Sequence, residues 1–277
     1  MADRTETQAA KLSEQENWPA AARAWQTAVE RFSLLNDPAG EAVARHNLAQ
    51  AERALGQSEA ARANFEQAAR LNQRSGRTNE WWRNQIALLQ LEAQSNQTQA
   101  LQMRFEKLLS LAGQPTDRSV RGLFLNELGL WQKTQARLAE AEKSFAAAEH
   151  EFNAARNSFG LAVIAANRAE LYESQQKYSA ARESWKAALK LFQSLADPPG
   201  IARCLLGQGR TLLAANQELP EAEDMLRRAA NNYKLLKMPK QAQAALELLA
   251  QCLAAEGKGG EANSAPREII KAKNAGD

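Results

Sequence analysis

The sequence predicts an all-α protein, a right-handed α-solenoid of about six helix pairs with a C-terminal capping helix. Three observations predict it. The 277 residues include only 8 prolines and 14 glycines, in a chain rich in helix-forming alanine, leucine, glutamine and glutamate. Apolar residues recur at spacings of three and four, the period of an amphipathic helix. This pattern returns about every 40 residues, as in proteins built from stacked repeats.

The repeat is most regular between Gly160 and Gly200, a segment that reads as two amphipathic helices joined by a polar turn. Its Trp185 is predicted to be a buried packing residue. Aromatic residues also lie 40, 80, 120 and 160 positions before Trp185, at Phe145, Phe105, Phe65 and Trp25.

Small residues lie four positions before and three positions after most of these aromatics, but the third copy has Leu101 and Leu108 there. Because close helix approach depends on small side chains, we expect the two helices of that copy to lie further apart or to cross at a different angle.

The period defines the units. We assign helix pairs to residues 3–40, 41–77, 78–116, 117–160, 161–200 and 201–238, and a capping helix to 239–255. Pro38 and Pro198 are expected to stop the helices before them, and Gly56 to adopt a left-handed turn conformation. The sixth pair has one extra residue in its turn. Residues 256–277 are predicted to form a capping turn and a flexible tail.

Composition and charge exclude several classes of function. The 35 basic and 32 acidic residues leave a net charge of +3 and alternate along most helices, whereas nucleic-acid-binding proteins concentrate basic residues on one face. No apolar run is long enough to span a bilayer. The basic residues of the tail are too sparse for a lipid-binding segment; they are Lys258, Arg267, Lys271 and Lys273.

The chain also lacks the patterns of an enzyme, so we expect no cofactor and no metal. Its two histidines, His46 and His150, have no metal-ligand spacing around them. The Gly-x-Gly at 207–209 lies in a helical pattern and not after a strand, so it is not a dinucleotide fingerprint. Cys204 and Cys252 lie in separate apolar patterns and are predicted to be buried free thiols, which fits a reducing compartment.

The repeat resembles the tetratricopeptide repeat over residues 3–255. The second unit carries the motif as Leu48-Ala49, Gly56, Ala61, Phe65 and Ala68, and the fourth as Leu128-Gly129, Ala141, Phe145 and Ala148. The 40-residue period departs from the usual 34 and resembles the long-helix subclass of kinesin light chains and their bacterial relatives, one of which is associated with bacterial tubulin.

This resemblance implies a non-enzymatic scaffold that binds a protein partner, with a tubulin-type filament as the narrower hypothesis. It implies a cytoplasmic protein that is a monomer by itself. The alternative is a membrane-anchored, lipoprotein-like envelope or assembly factor whose leader is missing. Such a protein would be membrane-associated or periplasmic.

The resemblance also implies that the first helix of each pair lines a concave groove and contacts the partner at fixed offsets. Those offsets select His46, Asn47, Gln50, Arg53, Arg83, Gln90, Asn126, Glu127, Lys133, Asn167, Glu170, Arg203 and Arg210. Asn47 and Asn167 are equivalent positions, and an asparagine can pair with the backbone amides of a bound peptide. The alternative is that these side chains bond neighbouring helices.

The adjacent Trp81 and Trp82 are the most unusual local feature of the third unit. Tryptophan is enriched at binding hot spots. We expect one of the two to pack in the core and the other to face the partner.

Overall fold

The computed structural model describes residues 2–95, 98–111 and 115–264, and within these ranges it is all-α, as predicted, with no strand. The helices are α1 (Ala2–Glu14), α2 (Trp18–Leu34), α3 (Pro38–Ala54), α4 (Ser58–Arg74), α5 (Thr78–Gln94), α6 (Thr98–Ser110), α7 (Arg118–Thr134), α8 (Leu138–Ala154), α9 (Ser158–Ser174), α10 (Tyr178–Ser194), α11 (Pro198–Ala214), α12 (Leu219–Leu235), α13 (Pro239–Ala255) and α14 (Gly259–Ser264). Two compact lobes, Met1–Leu128 and Gly129–Asp277, divide the chain within α7.

The 40-residue period has a simple structural origin. Most helices have 17 residues, and three-residue turns separate them, so a pair of helices with its turns repeats every 40 residues. The middle turn residue is left-handed: Gly56 has φ of +76°, and non-glycine residues such as Asn36 (+52°) and Gln176 (+59°) take the same conformation. The turn before α12 is one residue longer, as the sequence predicted.

One expectation about the ends of helices was wrong. Pro38 and Pro198 do not stop the preceding helices; they are the first residues of α3 and α11. Proline suits that position because its missing N–H would have no partner in the helix. After α13 the chain turns and forms the short helix α14. The remaining predicted tail, residues 265–277 with Arg267, Lys271 and Lys273, lies outside the described residues.

The repeating aromatic residues form the core of each helix pair. None of the five is more than 3% exposed; they are Trp25, Phe65, Phe105, Phe145 and Trp185. Leu101 and Leu108 are also buried, and α5 and α6 contact each other less extensively than α3 and α4 do. That the larger leucines change the packing of the two helices stays a prediction.

A second aromatic residue joins one pair to the next. Near the end of the second helix, a phenylalanine ring packs on a glycine in the first turn of the following helix, and an Asp or Asn between them accepts a hydrogen bond from that glycine's N–H. We call this arrangement the ring–glycine junction. It occurs as Phe32–Asp37–Gly40, Phe152–Asn157–Gly160 and Phe192–Asp197–Gly200.

Buried polar pairs, each spaced by twelve residues, link the two helices within a pair. Asn64 donates to Glu52 at 2.9 Å, Arg104 to Glu92 at 2.7 Å and Ser144 to Gln132 at 2.7 Å. The side chain of Glu92 is 1% exposed and also pairs with Arg62 at 3.0 Å. A deeply buried carboxylate–guanidinium cluster thus connects α5 with α6 and α4.

Replacing Gly200 by alanine should destabilise the C-terminal lobe by about 1–3 kcal/mol, the usual cost of an overpacked core. The added Cβ would lie 2.3 Å from the Phe192 ring and 2.4 Å from Asp197 Oδ2. Gly260→Ala is the matched control, since its Cβ would meet nothing within 4 Å. Urea unfolding followed by circular dichroism compares the two, and equal midpoints would contradict the junction.

Arg104→Met should destabilise the N-terminal lobe by about 1.5–3 kcal/mol, because it removes the charge-assisted bonds of Arg104 to Glu92 while Arg62 stays paired with that carboxylate. The control is Arg70→Met, which breaks the exposed i,i+4 pair with Glu66 and should change the free energy of unfolding by less than about 1 kcal/mol. Urea titration measures both variants. A similar small effect for both would show that the Glu92 cluster does not stabilise the pair.

Candidate functional site

Polar side chains of α3, α5 and α7 form a hydrogen-bonded series in the N-terminal lobe. Arg53 Nη1 donates to Gln90 Oε1 at 2.9 Å, and Gln90 Nε2 donates to Glu127 Oε1 at 3.0 Å. Asn126 Nδ2 donates to the same carboxylate at 3.3 Å. Burial raises the pKa of Glu127, and these donors together with the charge of Arg53 oppose the rise. We call Arg53, Gln90 and Glu127 the N-terminal ladder.

His46 lies next to this ladder and is bonded through both ring nitrogens. Asn84 Nδ2 donates to the Glu80 carbonyl at 2.8 Å, so Asn84 Oδ1 accepts from His46 Nδ1–H at 2.9 Å. His46 Nε2 then accepts from Gln50 at 3.4 Å. Burial lowers the pKa of His46, the bond to Asn84 opposes this, and the charges of Arg53 and Arg83 lower the pKa further. The imidazole is therefore neutral near pH 7.

The C-terminal lobe has a corresponding series on α7, α9 and α11. Lys133 Nζ donates to Glu170 Oε2 at 2.9 Å, and Arg203 Nη2 donates to Glu170 Oε1 and Asn167 Oδ1, both at 2.7 Å. Burial would raise the pKa of Glu170, but Arg203 and Lys133 hold it below its ordinary value. We call Lys133, Glu170, Arg203 and Asn167 the C-terminal ladder.

Arg210, the last residue of the predicted set, pairs with Glu173 instead of with this ladder. The closest contact, from Arg210 Nη2 to Glu173 Oε2, is 2.6 Å. Glu173 also accepts from the Trp185 indole at 3.0 Å and from the Thr211 hydroxyl. This carboxylate thus connects the predicted surface to the core of the α9–α10 pair.

The predicted residues differ in how far they reach solvent. Asn126 and Asn167 are only 5% and 3% exposed, so neither has much surface for contact with a partner, and Asn167 instead bonds Arg203 of the next first helix. Asn47 remains partly exposed although it is equivalent to Asn167 in sequence. The outward residues are Arg83, Arg203 and Arg210, whose side chains are 47%, 35% and 39% exposed. The concave-groove assignment stays a prediction.

The two tryptophans have different environments. Trp82 is 1% exposed and packs edge-on against Phe124, with ring centroids 5.0 Å apart. Trp81 contacts Trp82 at 5.3 Å and remains partly exposed. It lines a cleft of about 230 Å³ together with Leu111 and Gly76. Trp82 is therefore the core member, and only Trp81 is placed to meet a partner.

A cavity of about 130 Å³ lies where α4 leads into α5, between α3 and α5. It is lined by Ala42, Val43, His46, Asn47, Asn72, Glu80, Arg83 and Asn84. Asn72 is 3% exposed, and its Oδ1 accepts no hydrogen bond from any residue in the described ranges. Asn72 thus contributes to the cavity wall a buried amide whose oxygen has unused bonding capacity, and it also lines the cleft beside Trp81.

Asn72, Asn84 and Glu173 were not among the residues selected from the sequence. One signal could have found Glu173: several ladder partners are 37 residues apart, as in Arg53–Gln90, Gln90–Glu127 and Lys133–Glu170. The same spacing connects Glu173 to Arg210. Asn72 carries a different signal, since it occupies the position of the ring in the other junctions.

Little in the described chain resembles a reaction centre. No group of His, Cys, Asp and Glu in these residues could hold a metal ion. Cys204 and Cys252 are buried free thiols, and burial raises the pKa of Cys204 to about 12. None of the described helices is long and apolar enough to cross a membrane.

Comparison with known proteins supports this fold. Residues 160–234 match the family model of the tetratricopeptide repeat. The apo form of RapI is similar in structure, with a TM-score of 0.74 and 14% identity over 99% of this chain and 97% of that one. The apo quorum sensor NprR from B. thuringiensis gives 0.75 and 13%, over 94% and 72% of the two chains.

BtubC (BKLC) from P. vanneervenii is also similar, with a TM-score of 0.51 and 16% identity over 94% of this chain and 92% of that one. No curated protein matches the sequence. At these identities the solved structures show a shared fold and nothing further.

The buried His46 predicts a pH dependence of stability. Its pKa in the folded chain lies below the ordinary histidine value of about 6.5, so the unfolded chain binds the proton more readily and stability falls as pH drops below that value. His46→Gln should therefore lose less stability than the unchanged protein between about pH 7.5 and about pH 5.5. Urea unfolding at both values measures the difference.

The control is His150→Gln, because the His150 side chain is 74% exposed and is not enclosed by neighbouring helices. It should lose as much stability on acidification as the unchanged protein. If His46→Gln also shows an unchanged loss, the buried imidazole is not the source of the pH dependence.

Proposed function

We propose that this tetratricopeptide-repeat chain is a non-enzymatic scaffold that binds a protein partner through the first helices of its pairs. One observation carries the proposal: partly buried carboxylates of α9, in the C-terminal ladder and at the neighbouring Glu173, hold partly exposed arginines in fixed positions. Arg203 and Arg210 are anchored in this way by Glu170 and Glu173. Arginine is enriched among residues that dominate the energy of protein interfaces.

The anchoring explains why these arginines suit binding. Both of the Arg203 bonds to ladder residues use Nη2, so its Nη1 and Nε keep their hydrogens for a partner as far as the described residues show. Ordering a free arginine side chain on binding costs about 0.5–1.5 kcal/mol. The ladder has already restricted the side chain, and this reduces the cost of binding.

The bonding of the candidate residues also supports a scaffold over an enzyme. A general base needs a free acceptor within reach of a substrate proton. In His46 both ring nitrogens are occupied by Asn84 and Gln50. The ladder carboxylates are likewise paired with arginine, lysine or amide donors.

The narrower proposal is that the partner is a tubulin-type filament. It rests on the resemblance of the 40-residue repeat to bacterial kinesin-light-chain-like proteins, together with the fold similarity to BtubC. Co-sedimentation with such filaments tests it: the chain should appear in the pellet only when filaments are present. Absence from the pellet would exclude this partner but leave the scaffold proposal standing.

Photo-crosslinking tests where the partner binds. A crosslinking amino acid replaces Asn47 on α3 or Arg203 on α11, and the chain is irradiated in an extract of its host. The controls are Gln67 on α4 and Ala187 on α10, which are exposed on second helices and lie outside the ladders. We expect one discrete adduct from the first-helix positions and none from the controls.

In the same assay, Arg203→Gln with Arg210→Gln should reduce the adduct at position 47 or abolish it, since each lost charge-assisted bond weakens binding by about 1.5–3 kcal/mol. Equal crosslinking from all four positions, or an adduct formed only by Gln67 and Ala187, would overturn the assignment to the first helices.

A further inference from the structure

We propose that the cavity between α3, α4 and α5 binds one primary carboxamide side chain, an asparagine or a glutamine, presented by the protein partner. The proposal rests on the proposed function and adds the chemistry of one contact. Three features support it. One junction has lost its packing residues, the amide oxygen of Asn72 is buried without a hydrogen-bond donor in the described part of the chain, and the cavity lining is neutral.

The cavity occupies a ring–glycine junction in which all three defining residues are replaced. The junctions before α3, α9 and α11 place phenylalanine, then Asp or Asn, then glycine at fixed positions. Before α5 the same positions hold Asn72, Arg77 and Glu80. Arg77 makes no side-chain cap to α5. Where the other junctions have a packed ring, this one has about 130 Å³ of space.

Asn72 supplies the cavity lining with an unsatisfied hydrogen-bond acceptor. The residue is only 3% exposed, and its Oδ1 has no donor among the described residues. A buried polar atom without a hydrogen bond destabilises a protein by about 1–3 kcal/mol. A ligand that supplies an N–H at this point recovers that energy, whereas a ligand without a donor does not.

The other lining groups favour a neutral ligand. Burial holds the pKa of His46 below its ordinary value, so the imidazole adds no positive charge to the cavity near pH 7. Glu80 and Arg83 carry opposite charges at its edge, and Arg83 is already paired with Asp117 at 3.1 Å. A carboxamide has both donors and acceptors, and it matches the amides of Asn72 and Asn47 without burying a charge.

The volume selects a side chain rather than a length of backbone. An apolar cavity of about 150 Å³ holds a single benzene ring, so 130 Å³ accommodates one planar group of similar size. A peptide backbone would need an open channel on both sides of the amide. A primary amide is the terminal group of its side chain, so the side chain needs to enter the cavity from one direction only. Its NH2 group can then donate to Asn72 Oδ1.

Titration with propionamide, which carries the terminal group of glutamine, tests the proposal on the intact chain. The side-chain 15N–1H signals of Asn72 report binding, and Asn72→Asp identifies them by their disappearance. We expect a saturable shift with propionamide. The affinity should be at least about fivefold weaker for 2-butanone, which has a similar shape but no donor, because one hydrogen bond is worth about 1 kcal/mol or more.

The double variant Asn72→Phe with Glu80→Gly rebuilds the ring–glycine junction and fills the cavity. Both changes are needed, because a Cβ at the corresponding Gly40 would lie 2.4 Å from the Phe32 ring. The variant should unfold at an equal or higher urea concentration and should lose the backbone-amide shifts that propionamide causes around the cavity. Gln67→Ala, an exposed change on the same helix, should keep them.

Several outcomes would overturn the proposal. One is the absence of any shift with propionamide, which would leave water as the only occupant. The others are an equal affinity for 2-butanone and unchanged binding of propionamide by the double variant. A tighter response to N-methylacetamide, a mimic of the peptide bond, would assign the cavity to backbone instead. Crosslinking from Arg203 does not depend on this cavity, so its result separates failure here from failure of the scaffold proposal.

Discussion

The packing of one aromatic ring against the backbone of the next helix pair is the constraint on which much of this structure depends. A ring such as Phe192 can lie on Gly200 only because the glycine has no side chain, and the capping Asp197 fixes the start of α11 at the same time. One three-residue pattern therefore sets both where a helix begins and how closely it approaches its neighbour. Successive helix starts are then fixed well enough for polar side chains to meet at hydrogen-bond distance.

The C-terminal ladder on α7, α9 and α11 follows from this regular spacing. A carboxylate on one first helix reaches a cation on the next, as Glu170 reaches Arg203 and Glu173 reaches Arg210. Burial alone disfavours such charges, and pairing offsets that cost. The ladders thus have two consequences: they link neighbouring pairs within each lobe, and they orient guanidinium groups that remain partly exposed. Stability and recognition share the same residues on these helices.

Helix positions could be predicted well because they depend on local periodicity. The ring at Trp185 and its equivalents, the left-handed Gly56 and the longer turn before α12 all follow from spacing in the sequence. The candidate site could be predicted only in part. Burial of Asn167 but not of its equivalent Asn47 depends on which side chains the neighbouring helices present. A repeat pattern does not contain that information, and neither does it show that Asn72 lacks a partner.

The ring–glycine junction also affects how a protein of this kind can change over time. A globular core couples most of its residues, so a new cavity usually disturbs the whole. Here each junction is a separate module, and the altered one at Asn72, Arg77 and Glu80 leaves Phe152–Gly160 and Phe192–Gly200 intact in the other lobe. Natural selection or a designer can therefore convert one junction at a time from packing to recognition. Along such a chain, the order of filled and open junctions would act as a code for the partner it accepts.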